Sequence, residues 1–221
     1  ADYPTFLLTR FDMSVGKENE LRVYGPALTS QLTERLLGED VGAYWHDIVA
    51  RTNHPLSLGA HQRRGGTLPR LPPVIHSIDV GPGKFATGKH WEVSAARVEH
   101  VQPYLDSLAY RIDSDEGSIV FSGDTRPCDS LTELASGADL LVMECIRLHQ
   151  DNVGNPAAEY ETATYGAGQT ARDADVKKLL LCHQNPALED PESKVQAIGE
   201  VRSVFAGPTV WGEELLEVPW G

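Results

Sequence analysis

The chain has 221 residues, of which 41% are hydrophobic and 23% charged, the balance of a globular protein large enough for one domain with a real core. A net charge of -13, with no Lys/Arg cluster beyond Arg63-Arg64, excludes a broad electrostatic grip on nucleic acid, though not a narrow basic site. No run approaches the length of a transmembrane helix, and Cys128, Cys145 and Cys182 are too few and too scattered for a disulfide framework. Reduced, structural thiols in a cytoplasmic protein are therefore the expectation.

The chain begins without an initiator Met or a signal-peptide pattern, as though in mid-element, so an N-terminally incomplete domain is expected. Phe6-Leu7-Leu8 is apolar and fits a short helix or strand. Residues 21–24 alternate and stop at Gly25-Pro26, which reads as a strand and turn. Leu32, Leu36 and Leu37 then give a short helix capped by Thr29 or Ser30 and ended by Gly38. Residues 40–72 are the least regular. Trp45 to Arg51 fits a helix turn or a strand, and residues 53–73, rich in Pro, Gly, Arg and His, read as a long loop, so that 40–72 as a whole is expected to be a loop or lid insertion.

From Pro73 the pattern turns to β, with strands expected over 74–80, 91–98, 108–112 and 118–121. Asp113-Ser-Asp-Glu-Gly117 joins the last two as a hairpin longer than a two-residue turn. A short helix over 131–135 precedes the continuous apolar run Leu140-Leu-Val-Met143, typical of a strand covered on both faces. Helix and strand then alternate. A helix spans 162–174 and a buried strand 176–182. A second helix starts at Asp190-Pro191-Glu192, and a last strand is expected over 209–218.

The chemistry gathers at strand ends. Ile119-Val-Phe121 runs into Ser122-Gly-Asp-Thr125, which presents Asp124 just past a buried strand. His100 follows the strand at 91–98, and His183 follows Leu179-Leu-Leu-Cys182. Should these strands be neighbours, two imidazoles and a carboxylate meet at one end of a sheet, a ligand set suited to zinc or a similar divalent ion. Trp91, Tyr110 and Trp211 read as core or half-buried strand residues, and the cysteines as structural thiols.

Val98-Glu-His100, Leu108-Ala-Tyr-Arg-Ile112, Phe121-Ser-Gly-Asp-Thr125, Gly137-Ala-Asp-Leu-Leu-Val142 and Lys178-Leu-Leu-Leu-Cys-His183, in that order, resemble the metallo-β-lactamase superfamily, and most closely its ribonuclease Z-like branch. The resemblance implies an α/β fold, the αββα sandwich, as a single domain over 1–221. It implies His100 on a first metal, Asp124 bridging two metals and His183 on the second, with two zinc ions in the full-length protein. The activity implied is hydrolysis of an ester, amide (lactam or lactone) or phosphodiester through a metal-bound hydroxide.

The family's HxHxDH motif, which supplies four ligands and the acid that handles the attacking water, is absent. Its place is expected just upstream of Ala1. Two positions depart from ribonuclease Z. Met143-Glu144-Cys145-Ile146 stands where that enzyme has His-Glu-Ala-Thr, and Glu161-Thr162 where it has a His-Ser-Thr helix start. Both remove imidazoles that face the scissile phosphate. With the net charge of -13 they favour a small-molecule substrate and weigh against nucleic acid as partner. Glu144 is left as a weak candidate for the catalytic base. The competing readings are a catalytically incomplete remnant acting by binding or dimerisation, and a ribonuclease Z-type tRNA 3′ endonuclease. A homodimer is implied by resemblance alone, and no membrane association is expected.

Overall fold

In the computed structural model, which describes residues 2–15 and 20–219, the chain divides into two units, Ala1–Val80 and Gly81–Gly221. The first contains helix α1 (Tyr3–Met13), strand β1 (Glu20–Gly25), helices α2 (Thr29–Leu37), α3 (Trp45–Asn53) and α4 (Pro55–Arg63), and strand β2 (Val74–Asp79). β1 and β2 pair in parallel from Glu20–Val74 to Gly25–Asp79. Leu7, Phe11, Leu37 and Ile48 form the buried centre of this unit.

Two local expectations change here. The N-terminus of α2 has no cap from its own side chains, and Leu28 ahead of it is left-handed at φ 79°. Asp79, at the end of β2, does the capping. Its carboxylate accepts from Leu28 N–H (3.1 Å), Ser30 N–H (2.7 Å) and Ser30 Oγ–H (2.9 Å). An anion at a helix N-terminus satisfies otherwise unpaired amides, whatever its distance in sequence.

The expected loop over 40–72 is instead largely helical, in α3 and α4, with residues 40–44, 54 and 64–72 outside helix and strand. The misreading came from His54-Pro55. Proline at the first helical position needs no N–H, and His54 Nδ1 accepts from Leu56 N–H at 3.3 Å, so the pair starts α4. Arg64, in the turn after α4, carries an ion pair. It joins Arg51 and Arg70 around the Asp12 carboxylate at 3.2, 2.9 and 3.5 Å.

The second unit holds strands β3 (Gly83–Thr87), β4 (Trp91–Arg97), β5 (Leu108–Ser114) and β6 (Gly117–Phe121), then helix α5 (Asp129–Ala135), strand β7 (Leu140–Glu144) and helices α6 (His149–Asn152) and α7 (Thr164–Asp173). Strand β8 (Leu179–Cys182), helix α8 (Pro191–Arg202) and strand β9 (Thr209–Trp211) complete it. The strands form one sheet in sequence order, β3 to β9. β3 through β6 are antiparallel neighbours; β6 through β9 are parallel. Parallel neighbours need a crossover, and α5, α7 and α8 provide them.

The β5–β6 turn is only Asp115-Glu116, because Ser114 and Gly117 already pair. β9 ends at Trp211, well short of residue 218, before the paired acids Glu213-Glu214. Asp190 caps α8 as its sequence indicates, accepting from Glu192 and Ser193 N–H at 3.1 and 3.0 Å.

Strand alternation decides what β7 shows to each side. Leu141 and Met143 are fully buried in the main core with Val120, Leu131, Leu179, Leu181 and Val201. Leu140, Val142 and Glu144 lie on the opposite face. Helices α7 and α8 approach closely at Gly168, where an added Cβ would lie 2.6 Å from Val204 Cγ2 and 2.9 Å from Val201 O.

The start of β7 is tied to β6 by Asp139. Its carboxylate accepts from Ser118 N–H (2.7 Å), Ser118 Oγ–H (3.1 Å) and Lys177 Nζ (2.6 Å). The Lys177 bond first, and then the Ser118 amide, hold its pKa down to about 2. A carboxyl more acidic folded than unfolded adds stability above its unfolded value of 3.8, and that stability is lost as pH falls toward 2. Lys177 is well exposed, so solvent screening limits the contribution to about 1 kcal/mol. Asp139→Asn is expected to flatten the stability profile between pH 4 and 2 by about that amount, read from urea midpoints across the range.

Candidate metal centre

The sheet topology brings four strand ends to one edge. β6, β7 and β8 run parallel. β4 shares their direction, because two antiparallel pairings separate it from β6. Residues just past the C-terminal ends of these strands therefore lie along a single margin. His100 follows β4, Asp124 follows β6, Glu144 closes β7 and His183 follows β8.

Asp124, Glu144 and His183 come together there. Each offers one ligand atom within 4.8 Å of the others, the one such group of three among the described residues. His183 Nε2 lies 3.7 Å from Asp124 Oδ2. The order of strands explains the group, since β7 lies between β6 and β8 and ends at Glu144.

The backbone is shaped to present them. Gly123 has φ +62°, a left-handed conformation that favours glycine in the turn before Asp124. His183 is itself left-handed at φ 57°, a conformation uncommon outside glycine and often found where function constrains the chain. Asp124 and His183 are half exposed.

Thr125 is buried and pins the turn. Its Oγ1 accepts from Glu99 N–H at 3.0 Å and donates to Arg126 O at 2.7 Å. Thr162 Oγ1 donates to Thr125 O at 2.5 Å, which ties the turn to the segment leading into α7.

Glu144 differs from its neighbours in being 1% exposed. Thr162 N–H donates to its Oε1 at 2.5 Å, and the Thr125 amide adds a second bond to the carboxylate. Its Oε2 is buried and has no hydrogen-bond partner among the described residues. Burial pushes its pKa up to about 8 against the two amides, and the charges of Asp124 and Glu161 add to the rise. Cys182, beside it, is pushed up to about 11, chiefly by burial, and Cys145 to about 12. Both remain neutral thiols at ordinary pH.

His100 is on the same margin but outside the group. Two strand spacings, roughly 10 Å, separate β4 from β6. Its Nδ1 lies 2.8 Å from Tyr160 O, and with Glu99, Arg126, Glu159 and Tyr160 it lines a groove of about 580 Å³.

A β-lactamase superfamily domain model matches residues 45–184, well over half of the chain. Ribonuclease Z of Mycobacterium tuberculosis H37Rv is 32% identical over 205 residues, spanning 90% of this chain and 68% of the relative. The chain belongs to the metallo-β-lactamase superfamily, in its ribonuclease Z-like branch. Its fold agrees with solved members. The metallo-β-lactamase fold protein YhfI of Bacillus subtilis superposes with a TM-score of 0.64 at 17% identity, covering 96% of this chain and 69% of YhfI. The short form of human tRNase Z superposes at 0.59 with 14% identity, over 99% and 73%. The α/β fold expected from the motifs is thus the fold of this superfamily, and the chain is a superfamily hydrolase.

The same findings overturn one expectation. A small-molecule substrate, with nucleic acid set aside, does not agree with a superfamily branch whose members carry the names ribonuclease Z and tRNase Z. That expectation rested on the two positions without the imidazoles of ribonuclease Z and on the net charge of -13, and neither decides the substrate. Net charge averages over the whole surface, whereas a scissile phosphate is gripped at one local site. No helix among the described residues is long and apolar enough to cross a membrane.

Proposed function

We propose that this superfamily hydrolase is a metal-dependent RNA phosphodiesterase, a ribonuclease Z-type endonuclease centred on the margin of β4, β6, β7 and β8. The observation that carries the reading is the meeting of Asp124, Glu144 and His183 within 4.8 Å at that margin. Two carboxylates and an imidazole suit a divalent ion, and the buried, unpartnered Oε2 of Glu144 is the kind of atom that a cation satisfies. Zinc is the ion proposed, and Asp124 and His183 would help to hold it. A divalent ion so held supplies Lewis-acid polarisation of a phosphoryl oxygen and lowers the pKa of water.

The chain's own residues do the positioning. Asp124 and His183, half exposed, can meet a substrate phosphate, while Thr125 and Thr162 hold the turn beneath them. His100 is proposed as a ligand of the first ion. With Nδ1–H donated to Tyr160 O, its Nε2 keeps the lone pair that ligation needs, the usual outer-shell arrangement of a metal-binding histidine. The names of the relatives support RNA as substrate.

The test is incubation of the protein with Zn²⁺ or Mn²⁺ and a tRNA precursor carrying a 3′ trailer. Removal of the trailer at one position, abolished by EDTA, is the expected result. Cleavage of lactam or ester chromogens with the RNA left intact would sink the proposal.

A further inference from the structure

A carboxyl side chain that is at least nine-tenths buried calls for partners at both oxygens, because a buried polar atom left without one is costly. Glu144 lacks one at Oε2. Two backbone amides hold its carboxylate in place, and their bonds favour the charged form. The other oxygen is buried and unpartnered, and a carboxylate oxygen of Glu144 lies within 4.8 Å of ligand atoms on Asp124 and His183. No lysine, arginine or histidine other than His183 is paired with Asp124 or Glu144 among the described residues. Glu144 is held by its two amides, while Asp124 and His183 are half exposed.

We infer that Glu144 is itself a metal ligand, so that Oε2 completes with Asp124 and His183 a three-donor divalent-cation site built from the ends of three consecutive parallel strands. This rests on the metal-dependent reading above and adds a ligand to it. It also gives the glutamate a role that does not depend on an imidazole at the preceding position or in the facing segment, where this chain has Met143 and Glu161-Thr162. The buried position makes Glu144 the rigid member of the site. Rigid, desolvated donors raise affinity because little ordering remains to be done on binding.

The experiment is a calorimetric titration of the metal-free protein with Zn²⁺, together with the visible spectrum of the Co²⁺-loaded form. Glu144→Gln is nearly isosteric and keeps an oxygen for the Thr162 amide. It is expected to weaken Zn²⁺ binding at least about tenfold and to change the Co²⁺ bands, with the melting temperature of the metal-free protein equal to or above wild type. Wild-type affinity and an unchanged Co²⁺ spectrum in Glu144→Gln, with binding lost in Asp124→Ala, overturn the inference and leave the metal-dependent reading standing. Absence of divalent-ion binding by the wild-type protein overturns both. Should Glu144→Gln fail to fold, the same titration on Glu144→Asp decides, a loss of about tenfold or more supporting the assignment and wild-type affinity overturning it.

Discussion

Asp124→Ala is expected to lower metal-dependent RNA cleavage by at least about 100-fold, or about 2.7 kcal/mol of transition-state stabilisation, while leaving the melting temperature of the metal-free protein nearly unchanged. The two halves of this result have separate causes. Asp124 is half exposed and packs into no core, so its loss creates no cavity. The turn that carries it is held instead by Gly123 in its left-handed conformation and by Thr125, whose hydroxyl joins Glu99 and Arg126. The carboxylate is nevertheless shared by the whole cluster, 3.7 Å from His183 Nε2 and beside Glu144. Removing it takes away the donor that both other side chains face. His183→Ala should move activity in the same direction. Asp115→Ala, which removes an exposed carboxylate paired with His90, should not. Initial rates with trailer-bearing tRNA, set beside thermal melts of each variant, separate a lost donor from a lost fold. Equal rates in Asp124→Ala and wild type would count against the proposed centre.

Leu141→Ala should have the largest effect on stability, a loss of about 2–5 kcal/mol. Leu141, the second residue of β7, is fully buried, with Leu131, Met143 and Leu179 in the same core. Truncation removes its apolar contacts and leaves a cavity that a sheet pinned on both sides by parallel partners closes poorly. Against a total stability of 5–15 kcal/mol for a typical domain this is a large share. The change should appear as a lower urea midpoint with an unchanged slope. Val195→Ala, on the exposed face of α8, is the contrast, with an effect within about 0.5 kcal/mol. Because Glu144 ends the same strand, Leu141→Ala should also weaken metal binding, whereas Val195→Ala should not.

Much of this architecture is legible along the chain. Leu140-Leu-Val-Met143 reads as a strand covered on both faces, and it is one. Asp190-Pro-Glu192 reads as a helix start because cap, proline and early acid are all local devices, and α8 begins there. Where local chemistry is ambiguous the reading fails. His54-Pro55 breaks a helix in one context and starts one in another, and only burial of Ile48 and the packing of α3 choose between them. The cap of α2 comes from Asp79, 49 residues beyond Ser30, and no sequence window spans that distance.

The candidate site divides in the same way. Asp124 and His183 were visible because each follows an apolar strand, and strand ends are positions where a sheet aims side chains. Their residue types and the order of the flanking motifs pointed to divalent-metal hydrolysis in the metallo-β-lactamase superfamily without reference to coordinates. Net charge, by contrast, was a poor guide to substrate, since it carries no information about one local phosphate site. The tertiary structure alone decided that β7 lies between the strands bearing Asp124 and His183, and so that Glu144 joins them while His100, beyond β5, stands apart. Strand neighbours are chosen by long-range packing. The burial of Glu144 and its unpaired oxygen follow from that choice, and from nothing in the residues on either side of it.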